Sequence, residues 1–141
     1  MTPSHAAAAA HSDQKATAID ETHLERMTLG DRRLEREVLE LFLRQTALML
    51  DRIMAAEPPV AAAAAHTLKG SARGVGAWRV ARAAESLEHA AGGAGGDTGI
   101  GNFGRDDLEA AIAELKAASL EAGATIAARL TVLLTERSGG R

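Results

Sequence analysis

His66, Lys69 and Gly70 stand three and four positions apart, so on a helix they share one face. Those residue types suit phosphoryl chemistry. A neutral imidazole is a nucleophile, and an ammonium one turn away offsets the charge of a phosphoryl group held on the ring. Glycine inside a helix costs roughly 1 kcal/mol relative to alanine. At Gly70 the missing Cβ opens room for another surface to reach the imidazole. The rest of that face is Pro59, Ala62, Ala63 and Arg73, with nothing larger than Ala or Pro apart from cations. Leu68 lies ~200° around the helix from His66, alongside Ala61, Ala64, Ala65, Ser71 and Ala72. Leu68 is therefore expected inward and His66 outward. Taken alone, His66 would be an ordinary surface histidine; the cleared face with Lys and Gly in place is what distinguishes it.

These residues need a helix to carry them and others to hold it. Asp20 is placed to N-cap a short helix through Met27, and Leu29-Gly30 breaks it. Asp31 caps a long helix from Arg32 to about Ala56, with Leu34, Val38, Leu41, Phe42, Leu48, Met49 and Ile53 as its expected buried stripe. Glu57-Pro58-Pro59 stops it and starts the helix of His66. Gly74 and Gly76 break that one. A further helix runs from about Ala77 to Ala91, and residues 92–104 read as a glycine-rich mobile connector. Asp106 or Asp107 begins a last long helix with Leu108, Ile112, Leu115, Ser119, Ala122, Ile126 and Leu130 inward. No useful segment alternates at period two. The expected fold is all-α, an antiparallel up-down-up-down four-helix bundle with a short additional N-terminal helix. It would occupy residues 19–137, between a flexible Ala-rich leader (1–18) and a flexible tail (138–141).

Composition narrows the function classes. The chain has 141 residues, no Cys, no Tyr and a formal charge of −3, which gives one domain, no thiolate chemistry and no general attraction to nucleic acid or acidic membranes. No apolar stretch approaches the ~20 residues of a membrane span, and the N-terminus lacks a signal-peptide pattern. A cytoplasmic location is expected. Gly99-Ile-Gly101-Asn-Phe-Gly104 matches G-x-G-x-x-G but has no strand before it, so it is no dinucleotide site. His5, His11, His23 and His89 do not form metal-ligand spacing with His66. Trp78 is expected to be a packing anchor.

The string Ala65-His66-Thr67-Leu68-Lys69-Gly70-Ser71-Ala72, followed by Gly76-Ala77 and Leu87-Glu88, resembles the signature of histidine phosphotransfer (HPt) domains. The resemblance spans about Asp20 to Glu136, and its specific part is Ala65 to Glu88. It implies a helical bundle whose exposed histidine, here His66, takes a phosphoryl group from an aspartate on a receiver domain or returns it there. It further implies that Lys69 assists phosphate binding, that Gly70 admits the partner, and that Gly76 is a turn glycine. Ser71 is expected to bond its own helix four residues back. Ala62, Ala63, Ser71 and Arg73 are the expected partner-facing residues, with Arg79 a further rim charge.

The partners implied are receiver domains of response regulators or hybrid histidine kinases. Magnesium would belong to the receiver, and this chain would need no cofactor or metal of its own. No nucleotide-binding segment accompanies His66, so the chain should be a phosphoryl carrier and not a kinase. By resemblance it should be a monomer. Two other readings stay open at this point: a bundle that binds a receiver or kinase without carrying phosphate, and a plain structural bundle.

Overall fold

The computed structural model describes residues 17–94 and 101–139. They form five helices, α1 (Glu21–Met27), α2 (Arg32–Ala55), α3 (Pro58–Val75), α4 (Trp78–Ala94) and α5 (Gly101–Gly139), with no strand among the described residues. Both predicted aspartate caps form. Asp20 accepts from the His23 N–H at 3.1 Å, and Asp31 accepts from Arg33 and Leu34 at 2.9 and 3.1 Å. These bonds occupy amides that a helix start leaves without partners. Pro58 and Pro59 open α3, where a missing N–H costs nothing.

Of the two expected breakers, it is Gly76 that ends α3. Gly74 stays helical, and Gly76 adopts φ +81° with its N–H returning to the last turn. That is a left-handed stop for which glycine is the natural residue. A second demand falls on the same position. Asp20 donates its N–H to the Gly76 carbonyl at 2.8 Å, and a Cβ on Gly76 would lie 2.9 Å from the Asp20 carbonyl oxygen. The start of α1 is thereby tied to the α3–α4 turn. Trp78 reinforces the tie: its indole Nε1 donates to Asp20 Oδ2 at 2.9 Å, and His23 meets its ring edge-on at 4.8 Å. Burial alone would raise the Asp20 carboxyl, but the Trp78 and His23 hydrogen bonds hold it below its ordinary value.

The long helices pack α2 on α3, α3 on α4 and α4 on α5, and α5 returns to α2. Leu39, Leu68, Leu87, Leu115 and Ile126 are fully buried at the centre of this ring. Ala64, Ala65, Ala72, Ala83 and Ala84 fill the α3–α4 side, so those two backbones approach closely. Ala18 and Ile19 are also in the core, ahead of α1.

The α2 stripe differs from the expected one. Glu35, Leu39, Phe42, Thr46, Met49 and Ile53 are buried, whereas Leu34, Leu41 and Leu48 are exposed and Val38 is only half-buried. The stripe holds two polar residues because each has a hydrogen-bond partner, Thr46 within α2 and Glu35 chiefly from α5. Thr46 Oγ1 donates to the Phe42 carbonyl at 2.7 Å. Glu35, 1% exposed, accepts from Arg129 of α5 at 2.6 Å and from Arg32 at 3.3 Å. Arg129 also reaches Glu21 of α1 at 3.6 Å, and the Glu35 bond raises its already high pKa further.

The glycine-rich connector is shorter than expected. Gly92 and Gly93 continue α4, and α5 begins at Gly101 rather than Asp106, which leaves residues 95–100 outside the described part. The first glycine of the G-x-G-x-x-G string falls in that gap. Ser138 and Gly139 belong to α5; the leader up to residue 16 and the last two residues lie outside the description. Residues 106–136 of α5 are long and apolar enough to cross a membrane by length and composition, although the alanine-rich sequence did not suggest it. Leu115 and Ile126 in that stretch are nonetheless wholly buried against the other helices.

Candidate functional site

Helix α3 places its buried and exposed residues as its periodicity requires. Ala61, Ala64, Ala65, Leu68, Ala72 and Val75 face the core. His66 projects outward, its side chain 67% exposed. Gly70 is exposed, and a Cβ built on it would meet nothing within 4 Å. Packing within the chain therefore does not demand glycine there. The bare position matters only to something that approaches from outside.

The decisive side chain comes from α4. The Glu88 carboxylate lies between His66 and Lys69: Oε2 is 2.8 Å from His66 Nδ1, and Oε1 is 2.8 Å from Lys69 Nζ. Lys69 is drawn down into this contact and only 14% of its side chain is exposed, against 27% for Glu88. The ammonium of Lys69, and after it the His66 ring, hold the Glu88 carboxyl below its ordinary value. It is therefore ionised near neutral pH and can only accept hydrogen bonds. Nδ1 must then carry a proton, which leaves the lone pair of the neutral ring on Nε2, the nitrogen away from Glu88.

Of the other expected surface residues, Ala63 and Arg73 are exposed beside His66, and Ala62 is half-buried. Ser71 behaves differently from expectation. Its Oγ donates to Gln45 Oε1 of α2 at 2.7 Å, so it seals the α2–α3 seam instead of bonding its own helix. Arg79 pairs with Glu121 of α5 and lies away from the His66 face. Trp78 is a packing anchor, as its bonds to α1 show.

Glu88 was visible in the sequence only as part of a motif. The signal for its position was the Gly76-Ala77 turn. Two helices joined by so short a turn fold back on each other, and residues equidistant from the turn come together. His66 and Glu88 are each eleven positions from Ala77 (77 − 66 and 88 − 77). Leu41 and Leu48 were also misjudged. Both are more than half exposed on α2. Their helical phase sets them within ~60° of Gln45, on the flank that the Ser71 bond turns toward α3.

Residues 37–118 match the Hpt domain, a stretch longer than half of the chain. The chain belongs to the Hpt domain family. Hpt domains are phosphocarrier modules of two-component phosphorelays, generally not kinases, and they interact with receiver domains. The match includes His66, Lys69, Gly70 and Glu88, and it leaves out α1 and the C-terminal half of α5. No curated protein and no solved structure matches the chain.

Proposed function

We propose that this protein is a histidine-containing phosphotransfer protein that carries a phosphoryl group on Nε2 of His66, to and from the aspartates of receiver domains. The observation that carries the reading is the Glu88 contact. An ionised carboxylate on Nδ1 leaves a nucleophilic nitrogen pointing out of the most open face of α3. An antiparallel up-down-up-down bundle suits this role, because it holds His66 rigidly on α3 while α4 supplies its partner.

The receiver brings a phosphoaspartate and its own magnesium to the His66 face. The Nε2 lone pair forms a bond to phosphorus as the aspartyl P–O bond breaks, and that electron pair leaves with the aspartate carboxylate. Nδ1 keeps its proton, so the ring becomes a phosphoimidazolium whose positive charge faces Glu88. The transfer is loose and in-line, so alignment and charge neutralisation decide its rate. Lys69 has a flexible stem and can turn its ammonium from Glu88 to the arriving phosphoryl oxygens. Gly70 and Ala63 leave space for the receiver, Leu41 and Leu48 of α2 give it apolar contact, and Arg73 and the edge of Ala62 lie at the margin, with Ser71 committed to the seam. The contact is transient and small, as signalling encounters are, and the reading places the protein in the cytoplasm with its receivers. The chain supplies no cofactor and phosphorylates nothing from ATP.

The test is transfer from a ³²P-labelled receiver in magnesium, with His66→Gln alongside. Acid-labile, base-stable label is expected on the wild type alone. Label on His66→Gln would refute the assignment. Binding of a broad receiver panel without transfer would instead make the protein a regulator that carries no phosphate.

A further inference from the structure

α5 is apolar on its outward side as well as its inward side. An 18-residue window within 106–136 has at most two charged residues, yet only 17% of it is buried. Helices apolar all round are normally enclosed, and exposed apolar patches of this kind mark contact surfaces. The outward side holds Ala117, Leu120, Ala124, Ala127, Thr131 and Leu134. Leu120 is 76% exposed and Leu134 51%. Thr131 and Thr135 donate their hydroxyl hydrogens to carbonyls of their own helix, at 3.0 and 2.9 Å, so neither needs an outside acceptor for that proton. Most of this patch lies beyond residue 118, where the family match ends.

We infer that this face pairs two copies of the chain, α5 against α5, antiparallel about Ala124. The six residues recur at steps of three and four, the spacing with which one helix seam interlocks with another. The pattern is complementary to itself. A two-fold axis at Ala124 sets Leu120 of one copy over Ala127 and Ala128 of the other and brings Leu134 level with Glu114, beside Ala113, so each leucine has an alanine to pack on. A lipid surface suits the face poorly. Lys116 and Glu109 lie in phase with Leu134 and Ala127, and Glu114 and Glu121 border the face beside Arg79 and Arg82 of α4, so acids and cations balance, whereas membrane-surface helices are basic. The strip from residue 110 to 135 is ~38 Å long and ~10 Å wide, so a pair covers roughly 800 Å². That lies at the low end for specific contacts and sets a weak, concentration-dependent dimer, in place of the monomer the sequence resemblance implied. α3 and α5 are not neighbours in the ring, so both His66 faces stay open in the dimer.

Sedimentation equilibrium of the full chain tests this. The average mass should rise from the 14.6 kDa monomer toward twice that at several hundred micromolar, and Leu120→Glu should remain monomeric with unchanged helicity and unchanged phosphotransfer. The chain has no cysteine, so single cysteines report the geometry. Ala124→Cys, on the axis, should form a disulfide dimer on oxidation. Ala117→Cys should not, because its two copies would lie ~21 Å apart along the axis. A wild type that stays at monomer mass, a Leu120→Glu variant that dimerises equally, or Ala117→Cys cross-linking as fast as Ala124→Cys overturns the proposal. So does a monomer that floats with neutral vesicles, which would assign the face to lipid.

Discussion

Replacing Glu88 with alanine removes the acceptor that keeps a proton on His66 Nδ1. A hydrogen bond to a charged group contributes about 1.5–3 kcal/mol. Glu88 is 27% exposed, so the lower figure applies, and the preference for the reactive tautomer falls by about tenfold. The same change frees Lys69 from its ion pair. Lys69 must leave that pair in any case to meet the phosphoryl oxygens, and a pair still screened at its solvent edge is worth about 1 kcal/mol, so that gain is smaller than the loss and the net effect is slower transfer. Glu88→Gln keeps an oxygen acceptor for Nδ1 but loses the charge, and it should lie between wild type and alanine. The assay is single-turnover transfer from a phosphorylated receiver, with ¹⁵N chemical shifts of His66 read in the same variants. The pH sense follows from the depressed Glu88 carboxyl. Its contribution is fully present above the ordinary glutamate value of 4.5 and is lost as pH falls through the lower folded value. Alanine transferring at the wild-type rate, or slower transfer with the tautomer unmoved, would refute the reasoning.

Three further changes probe the surface and the scaffold. Leu48→Glu should weaken receiver docking about tenfold, seen as a raised KM for transfer, while the melting temperature stays put because Leu48 is exposed. Gly76→Ala should lower the melting temperature by about 8 °C, since it combines a left-handed backbone costing roughly 1–2 kcal/mol with a Cβ 2.9 Å from the Asp20 carbonyl. Arg129→Met leaves the buried Glu35 with only Arg32 at 3.3 Å, and urea denaturation should show a loss of about 3 kcal/mol that adding Glu35→Leu largely restores.

The sequence revealed the local devices more fully than the faces. Asp20, Asp31, Pro58 and Gly76 act through their own neighbours, so helix starts and stops were legible. Which side of α2 is buried was legible only in part: Phe42, Met49 and Ile53 are buried as expected, whereas Leu39 replaces Leu34, Leu41 and Leu48. Leu34, Leu41 and Leu48 compete with Leu39, Phe42 and Ile53 for the core, and the outcome turns on Glu35. That side chain is buried only because Arg129, 94 positions away, arrives from α5. Glycines 92, 93 and 101 carry a helical backbone at modest cost, which composition cannot distinguish from a loop. At the site, His66, Lys69 and Gly70 lie within one turn and a half and could be found together. Glu88 becomes their partner only once α3 and α4 fold against each other.

Trp78 gives the molecule an optical channel of its own. It is the only tryptophan, and there is no tyrosine to compete with it. Its indole N–H is held by Asp20 and its ring edge by His23, both contributed by the segment that begins α1. Detachment of that segment would expose the indole to water and shift its emission to the red, while the bundle beneath could remain helical by circular dichroism. Unlabelled protein can thus report the opening of its N-terminal clasp separately from the melting of its core.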